Sequence, residues 1–305
     1  MNPAPSLILF TVLSGLGLGM IAWIGLGAGS DAPGFALAGP LVALLLAGIG
    51  GVCSAGHLAR PDRAWRAFSQ WRSSWLSREA CLMVLALGAF ALFAGLWVLS
   101  GIRLRPLGWL AAALALATIH CTAMIYAQLR TVPRWSVTPT PMLFLALGLA
   151  GGWLGVQAVV ALAGGAAEVG LSLLAVLLGA GVAVHWQTAA AGARRLAAGS
   201  SLATATGLGG MGRLRLFEPP HRGQNYLLEE MAFRVGRRRA WQIRLIGAVL
   251  GFLLPAALVL LAWLVGDWAL LPAFLAHVAG AMALRWLFFA EAEHVQALYY
   301  GAPER

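Results

Sequence analysis

Two ionisable residues at the ends of neighbouring apolar segments form the first candidate site in the sequence. His57 closes one segment in CSAGHLARP, and Glu79 opens the next in SSWLSREA. A helix end and a helix start on the same side of a membrane can be neighbours, although these residues are 22 positions apart in the chain. An imidazole titrates near neutral pH, and a carboxylate can accept and relay a proton. The pair could therefore bind the head group of a quinol, which releases two protons and two electrons when it is oxidised.

A structural role for Glu79 is the alternative. Ser77 is a candidate N-cap of the helix that follows, which would place Glu79 in the first turn, where the helix dipole favours a carboxylate. In that case Glu79 would pair with Arg78 or with another arginine of the preceding loop. If the pair with His57 is functional instead, Arg60 and Arg78 could assist it from nearby.

Histidines inside three other apolar segments raise the question of haem. Membrane cytochromes hold haem b between paired histidines at matched depth. His120, His185 and His277 lie at different depths when they are counted from the starts of their segments, so no two make a convincing axial pair. We therefore expect no haem, and polar contacts between helices instead. His120 and His185 could still line a path for protons or for a quinone.

Two further charged residues lie deep in the last apolar segment. Arg285 and Glu291 belong to LRWLFFAEAEHVQALYYG, and ionisable groups at membrane depth are costly unless they are paired. We expect both to pair with charges on other helices, and Glu291 could also contact a partner, a quinone or a proton path. Tryptophans near the same face predict an interfacial belt: Trp65, Trp71, Trp75, Trp135 and Trp241.

The composition excludes a soluble enzyme. Of 305 residues, 60% are apolar and only 10% are charged, whereas ordinary soluble domains have roughly 25% charged residues. The basic residues are all arginines and lie mostly in loops, so they indicate topology and docking, and no nucleic acid is expected as a partner. The three cysteines are not clustered, and no metal-ligand cluster is seen, so we expect no iron–sulfur centre in this chain.

Eight segments are long and apolar enough to cross a bilayer, which requires about 20 residues each. Their expected bounds are 6–28, 35–56, 79–101, 108–130, 139–163, 168–192, 241–264 and 269–293. Several connections are very short and force antiparallel neighbours. The sequence therefore predicts an all-α integral membrane protein. Its eight transmembrane helices form an up-and-down bundle in a single membrane domain, residues 1–305, with one long basic loop at 193–240.

Arginines are concentrated on one face of this predicted bundle. By the positive-inside rule that face, with both termini, is cytoplasmic. A docking surface for acidic subunits would produce the same asymmetry. Its candidate residues are Arg63, Arg66, Arg237, Arg238 and Arg239. Segment 225–239 has helical apolar spacing and fits either an interfacial helix or an extension of the seventh span.

Four motifs together resemble a known family. They are FTVLSGLGLGM in the first segment, CSAGHLARPDRAWRAF after the second, SSWLSREA before the third, and LRWLFFAEAEHVQALYYG at the end. They are similar to the membrane-anchor subunits of the dimethyl sulfoxide reductase type, the DmsC family, which includes anchors of sulfite-oxidising molybdoenzyme complexes. The resemblance spans all eight segments, and it implies that His57 and Glu79 are the quinol-site residues.

The resemblance implies a non-catalytic subunit of an oxidoreductase in the bacterial inner membrane. Such an anchor binds menaquinone or ubiquinone and no haem. It exchanges electrons with a four-cluster iron–sulfur subunit, which serves a molybdenum bis-pterin catalytic subunit. The terminal substrate and the direction of electron flow stay open. An ion or solute transporter without a redox role is the alternative. A proton-translocating quinone protein with a path through His120, His185 and Arg285 is a third possibility.

Overall fold

Eight long helices form the described part of the chain. The computed structural model describes residues 4–32, 34–56, 61–197, 202–212, 214–215, 217–218 and 239–295, and these ranges contain no strand. The helices are α1 (Pro5–Gly25), α2 (Phe35–Ala55), α3 (Trp75–Ser100), α4 (Arg105–Ala127), α5 (Thr140–Leu162), α6 (Val169–Ala197), α7 (Ala240–Val265) and α8 (Leu270–Ala290). All eight are long and apolar enough to cross a membrane. The predicted fold class is confirmed.

Local signals explain where these helices begin and turn. In lipid every backbone polar group needs a partner within the protein, so long apolar segments fold as helices. α3 ends at Gly101, whose φ of 69° lies in the left-handed region that strains other residues. The chain then needs only residues 102–104 before α4 begins. Such short turns keep consecutive helices antiparallel.

α1 lies at the centre of the bundle and packs against α2, α4, α5 and α8. Gly19 of α1 meets Gly148 and Gly152 of α5, and a methyl group at Gly19 would overlap the carbonyl of Gly148. Because lipid tails are as apolar as core side chains, this close packing, rather than the hydrophobic effect, holds the helices together. α1, α4, α5 and α8 thus enclose the interior on which the candidate site opens.

A proline in α7 explains the role of one predicted histidine. Pro255 has no N–H, so the carbonyl of Gly251, four residues earlier, lacks its usual helical donor. α7 widens into a π-turn at Val249–Leu253, and the carbonyl of Gly251 lies 2.7 Å from Nδ1 of His277 in α8. A carbonyl only accepts, so Nδ1 carries the hydrogen and donates. His277, fully buried, therefore makes the polar contact between helices that the sequence predicts.

We expect Pro255 and His277 to be energetically coupled. His277→Leu leaves the Gly251 carbonyl without a donor and should cost about 1–3 kcal/mol. In a Pro255→Ala background the cost should shrink, because the substituted alanine supplies a backbone N–H. A double-mutant cycle in unfolding free energy measures the coupling. Equal costs of His277→Leu in both backgrounds would contradict this role.

Candidate functional site

Glu79 lies in the second turn of α3, inside the bundle. Ser74 caps the helix: its hydroxyl accepts a hydrogen bond from the backbone N–H of Ser77 at 3.4 Å. The prediction that Ser77 is the N-cap is therefore wrong; its hydroxyl accepts from the backbone N–H of Gln70 at 3.1 Å. Because the helix starts earlier than predicted, Glu79 sits deeper, and only 4% of it is exposed.

The partner of this carboxyl group is Thr122 of α4. The Thr122 hydroxyl donates to Oε1 of Glu79 and also lies 3.1 Å from the carbonyl oxygen of Thr118. One hydroxyl hydrogen thus faces two acceptors. If Glu79 is ionised, Thr122 donates to it; if Glu79 is protonated, it donates to Thr122, which turns its own hydrogen to Thr118. The site can hold Glu79 with or without a proton while its heavy atoms stay in place.

Arg78, the alternative ion-pair partner of Glu79, turns away from it. The Nε of Arg78 donates to the carbonyl of Trp71 at 3.0 Å, and Nη2 donates to the carbonyl of Arg72 at 2.6 Å. Its guanidinium carbon lies 4.4 Å from the ring centroid of Trp75. Within the described ranges no ion pair involves Glu79. The arginine organises the loop before α3 rather than neutralising this carboxyl group.

Several predicted site residues lie outside the described residues, namely His57, Arg60, Arg237 and Arg238. The segment 225–238 is outside them as well. Among the remaining docking candidates, Arg63 and Arg66 are exposed on a 3₁₀ segment, Pro61–Phe68, between α2 and α3. Arg239 is exposed directly before α7. All three leave a basic surface open at this face of the bundle.

The structure separates His120 from His185. His120 of α4 is exposed, and its ring centroid lies 6.2 Å from that of Trp75 in α3. It thus lies on the outer side of the α3–α4 pair, while Glu79 and Thr122 meet inside it. His185 is exposed on α6, which packs on α5 and α7. The two histidines therefore do not line one interior path.

Glu291 joins four elements at the same face of the bundle. Its Oε2 accepts from Nη2 of Arg134 at 2.5 Å, and its Oε1 accepts from Nη2 of Arg244 at 2.6 Å. Arg134, in the turn between α4 and α5, also donates to Oε1 of Gln187 in α6 at 3.0 Å. Glu291 and Arg134 are almost fully buried, with 2% and 3% exposed. The expected ion pair of Glu291 is present, and it involves a loop arginine that the sequence did not single out.

The aromatic residues near this face divide into two groups. Trp65, Trp71 and Trp241 are exposed, as an interfacial belt requires. Trp135 is not part of such a belt, because it is buried and its Nε1 donates to the carbonyl of Phe288 at 2.8 Å. Its ring belongs to an interior cluster with Tyr126, Phe144, Phe288 and Phe289.

Arg285 lies against this interior cluster. Only 4% of the residue is exposed, and its guanidinium carbon lies 3.6 Å from the ring centroid of Phe144. The ion pair expected from the sequence is not among the contacts of the described residues. The guanidinium and the hydroxyl of Thr122 instead line the same internal cavity. In the described ranges no group of three or more His, Cys, Asp or Glu side chains is placed to hold a metal ion.

Comparison with known proteins agrees with this architecture. The family model of the DMSO reductase anchor subunit, DmsC, matches residues 1–208. A sulfite dehydrogenase subunit of Allochromatium vinosum is 34% identical over 329 aligned residues, which cover 98% of this chain and 99% of the relative. The match includes the segment that holds Glu79 and Thr122. The chain therefore belongs to the DmsC family of membrane-anchor subunits.

Proposed function

We propose that this chain is the quinone-binding anchor of a molybdopterin oxidoreductase complex and exchanges electrons between the quinone pool and an iron–sulfur subunit. The main support is Glu79, a buried carboxyl group close to one end of the bundle, bonded to a hydroxyl that accepts it in either protonation state. Reduction of a quinone takes up two electrons and two protons, and oxidation of a quinol releases them. Glu79 can supply or accept a proton at that depth.

The other proposed residues extend this site toward the face where α3 begins. His57 binds the head group together with Glu79, and Arg60 and Arg78 assist from the loop that follows α2. His120, exposed beside Trp75 at the α3–α4 contact, lines the approach of a quinone from the lipid. His185 and Glu291 lie on other elements, and the ion pairs of Glu291 favour a structural role for it.

An iron–sulfur subunit must dock close to this site, because electrons cross only a short gap in protein. The exposed Arg63, Arg66 and Arg239, together with Arg237 and Arg238, form the proposed docking surface. Arginines attract an acidic partner at long range and form bidentate pairs with carboxylates on contact. We propose that this face, with both chain termini, is cytoplasmic in the bacterial inner membrane.

The full-length similarity to a sulfite dehydrogenase subunit favours electron flow toward quinone. In such a complex sulfite and water give sulfate, two protons and two electrons. The electrons would leave the molybdopterin subunit, pass the iron–sulfur clusters and reach the quinone beside Glu79. The residues of this chain would hold the head group and deliver protons to it, and they would not touch sulfite.

A photoreactive quinone tests the proposed site without depending on turnover. In membranes that contain the assembled complex, an azido-quinone should label peptides around Glu79 in α3 and Thr122 in α4, and excess natural quinone should suppress the labelling. Glu168→Gln is the matched control, because Glu168 is exposed just before α6, and its labelling pattern should equal that of the wild type. Labelling confined to α6 and α7 would refute the assignment.

A further inference from the structure

Arg285 is a buried cation whose donors lack partners. Its Nε and Nη1 atoms are buried and have no hydrogen-bond acceptor among the described residues. A guanidinium stays protonated in proteins, so the group cannot escape the cost of burial by losing its charge. The ring face of Phe144 attracts the cation but accepts no regular hydrogen bond. Something polar must therefore occupy the space beside the guanidinium.

That space is a cavity between α1, α4, α5 and α8. The guanidinium of Arg285 lines it together with the hydroxyl groups of Thr11, Ser14 and Thr122. The centre of a water-sized sphere can move through about 20 Å³ of it, and a single water needs roughly 10–15 Å³ by this measure. The cavity thus has room for about one water molecule.

The hydrogen atoms of the three hydroxyls are already engaged. Thr11 donates to the carbonyl of Leu7 at 2.9 Å, Ser14 donates to that of Phe10 at 2.6 Å, and Thr122 donates to Glu79. Each hydroxyl therefore presents lone pairs to the cavity, opposite the N–H groups of Arg285. Lone pairs disfavour an anion. Water suits both walls, because it accepts from a guanidinium and donates to a hydroxyl.

We infer that one bound water bridges Arg285 to Thr122 and that Arg285 is a positioning residue of Glu79. The water accepts from the guanidinium and donates to Oγ1 of Thr122, which donates to Oε1 of Glu79. Every hydrogen in this chain points toward the carboxylate, so the positive charge of Arg285 stabilises the ionised form of Glu79. The inference deepens the proposed function, since it names the group that prepares Glu79 to accept a proton.

Other ionisable groups act on the same carboxyl group. Tyr126 and Cys121 of α4 interact electrostatically with Glu79, and Arg78 of α3 lies close enough to Cys121 to interact with it. No carboxylate lines the cavity. Arg285 is therefore the charged group that the cavity connects to Glu79, and its removal can be read through this carboxyl group.

The test is an infrared pH titration of the complex in lipid nanodiscs without quinone. The carboxylic-acid C=O band of Glu79 is identified by its loss in Glu79→Gln. In Arg285→Gln its titration should move to higher pH by about one unit, with a parallel move of the pH profile of quinone turnover. Arg285→Lys should restore most of the wild-type behaviour, because it keeps the charge.

Thr122→Val carries the test if Arg285→Gln does not assemble, because it removes the link to the water while Arg285 stays in place. It should move the band in the same direction. Thr118→Val is its control: Thr118 lies one turn away, donates to the carbonyl of Leu114 and does not line the cavity. An unchanged titration in Arg285→Gln or, where that variant fails, in Thr122→Val would overturn the inference. Wild-type turnover in Glu79→Gln together with a moved band would refute the quinone site alone.

Discussion

Glu79→Gln should abolish quinone turnover in a complex that still assembles. Glutamine has nearly the shape of glutamate and can keep the hydrogen bond to Thr122, so α3 and α4 should stay packed. It cannot exchange a proton, and loss of a general acid or base typically costs 100-fold to 10,000-fold in rate. We therefore expect turnover to fall at least about 100-fold. His57→Arg should have the same effect, because it removes the second proposed ligand of the head group.

Steady-state quinone reduction in membrane particles measures this effect, and native gels measure assembly. Reduction of the iron–sulfur clusters by the terminal substrate should stay normal, which places the defect at the quinone. Glu79→Asp keeps an exchangeable proton on a shorter side chain and should retain part of the activity. Glu168→Gln, an exposed change near the other end of the bundle, should leave turnover unchanged. Normal rates in both Glu79→Gln and His57→Arg would show that the quinone binds elsewhere.

Glu79 could be found from the sequence because charged residues are rare in this chain. A carboxylate among 20 or more apolar residues is conspicuous, and its place near a helix start follows from the loop before it. The same reasoning found Arg285, Glu291 and the eight helices. Length and hydropathy settle which segments cross the membrane, since no other structure satisfies the backbone there.

The partners of these groups could not be found in this way. Spanning helices are apolar on all sides, so periodicity does not reveal which face turns inward, and Thr122 looks like any other residue of α4. The sequence places Arg134 in a loop and Trp135 in the belt, because arginine and tryptophan usually stay at the membrane surface. Both are buried by contacts with α8 and the residue that follows it, more than 150 positions further along the chain. Such contacts depend on how nonadjacent helices pack.

Glu291→Gln should cause the largest loss of stability in the described part of the chain. The carboxylate of Glu291 is shared by Arg134 and Arg244, so its neutralisation leaves two guanidinium groups facing a neutral amide. Arg134 is buried, and an uncompensated buried charge costs about 3–5 kcal/mol. Arg134→Gln should cost less, because Glu291 and Arg244 would remain as a balanced pair.

Unfolding free energies in mixed detergent micelles, measured by titration with denaturing detergent, test this order. Glu293→Gln is the matched control, two residues further along and exposed, and it should change stability by no more than about 0.5 kcal/mol. Comparable stabilities of the Glu291→Gln and Glu293→Gln variants would contradict the clamp. The order also separates the two acids of this protein by role. Loss of charge at Glu291 should unfold the bundle while any assembled fraction keeps its quinone turnover, whereas loss of charge at Glu79 should stop turnover in a bundle that remains folded.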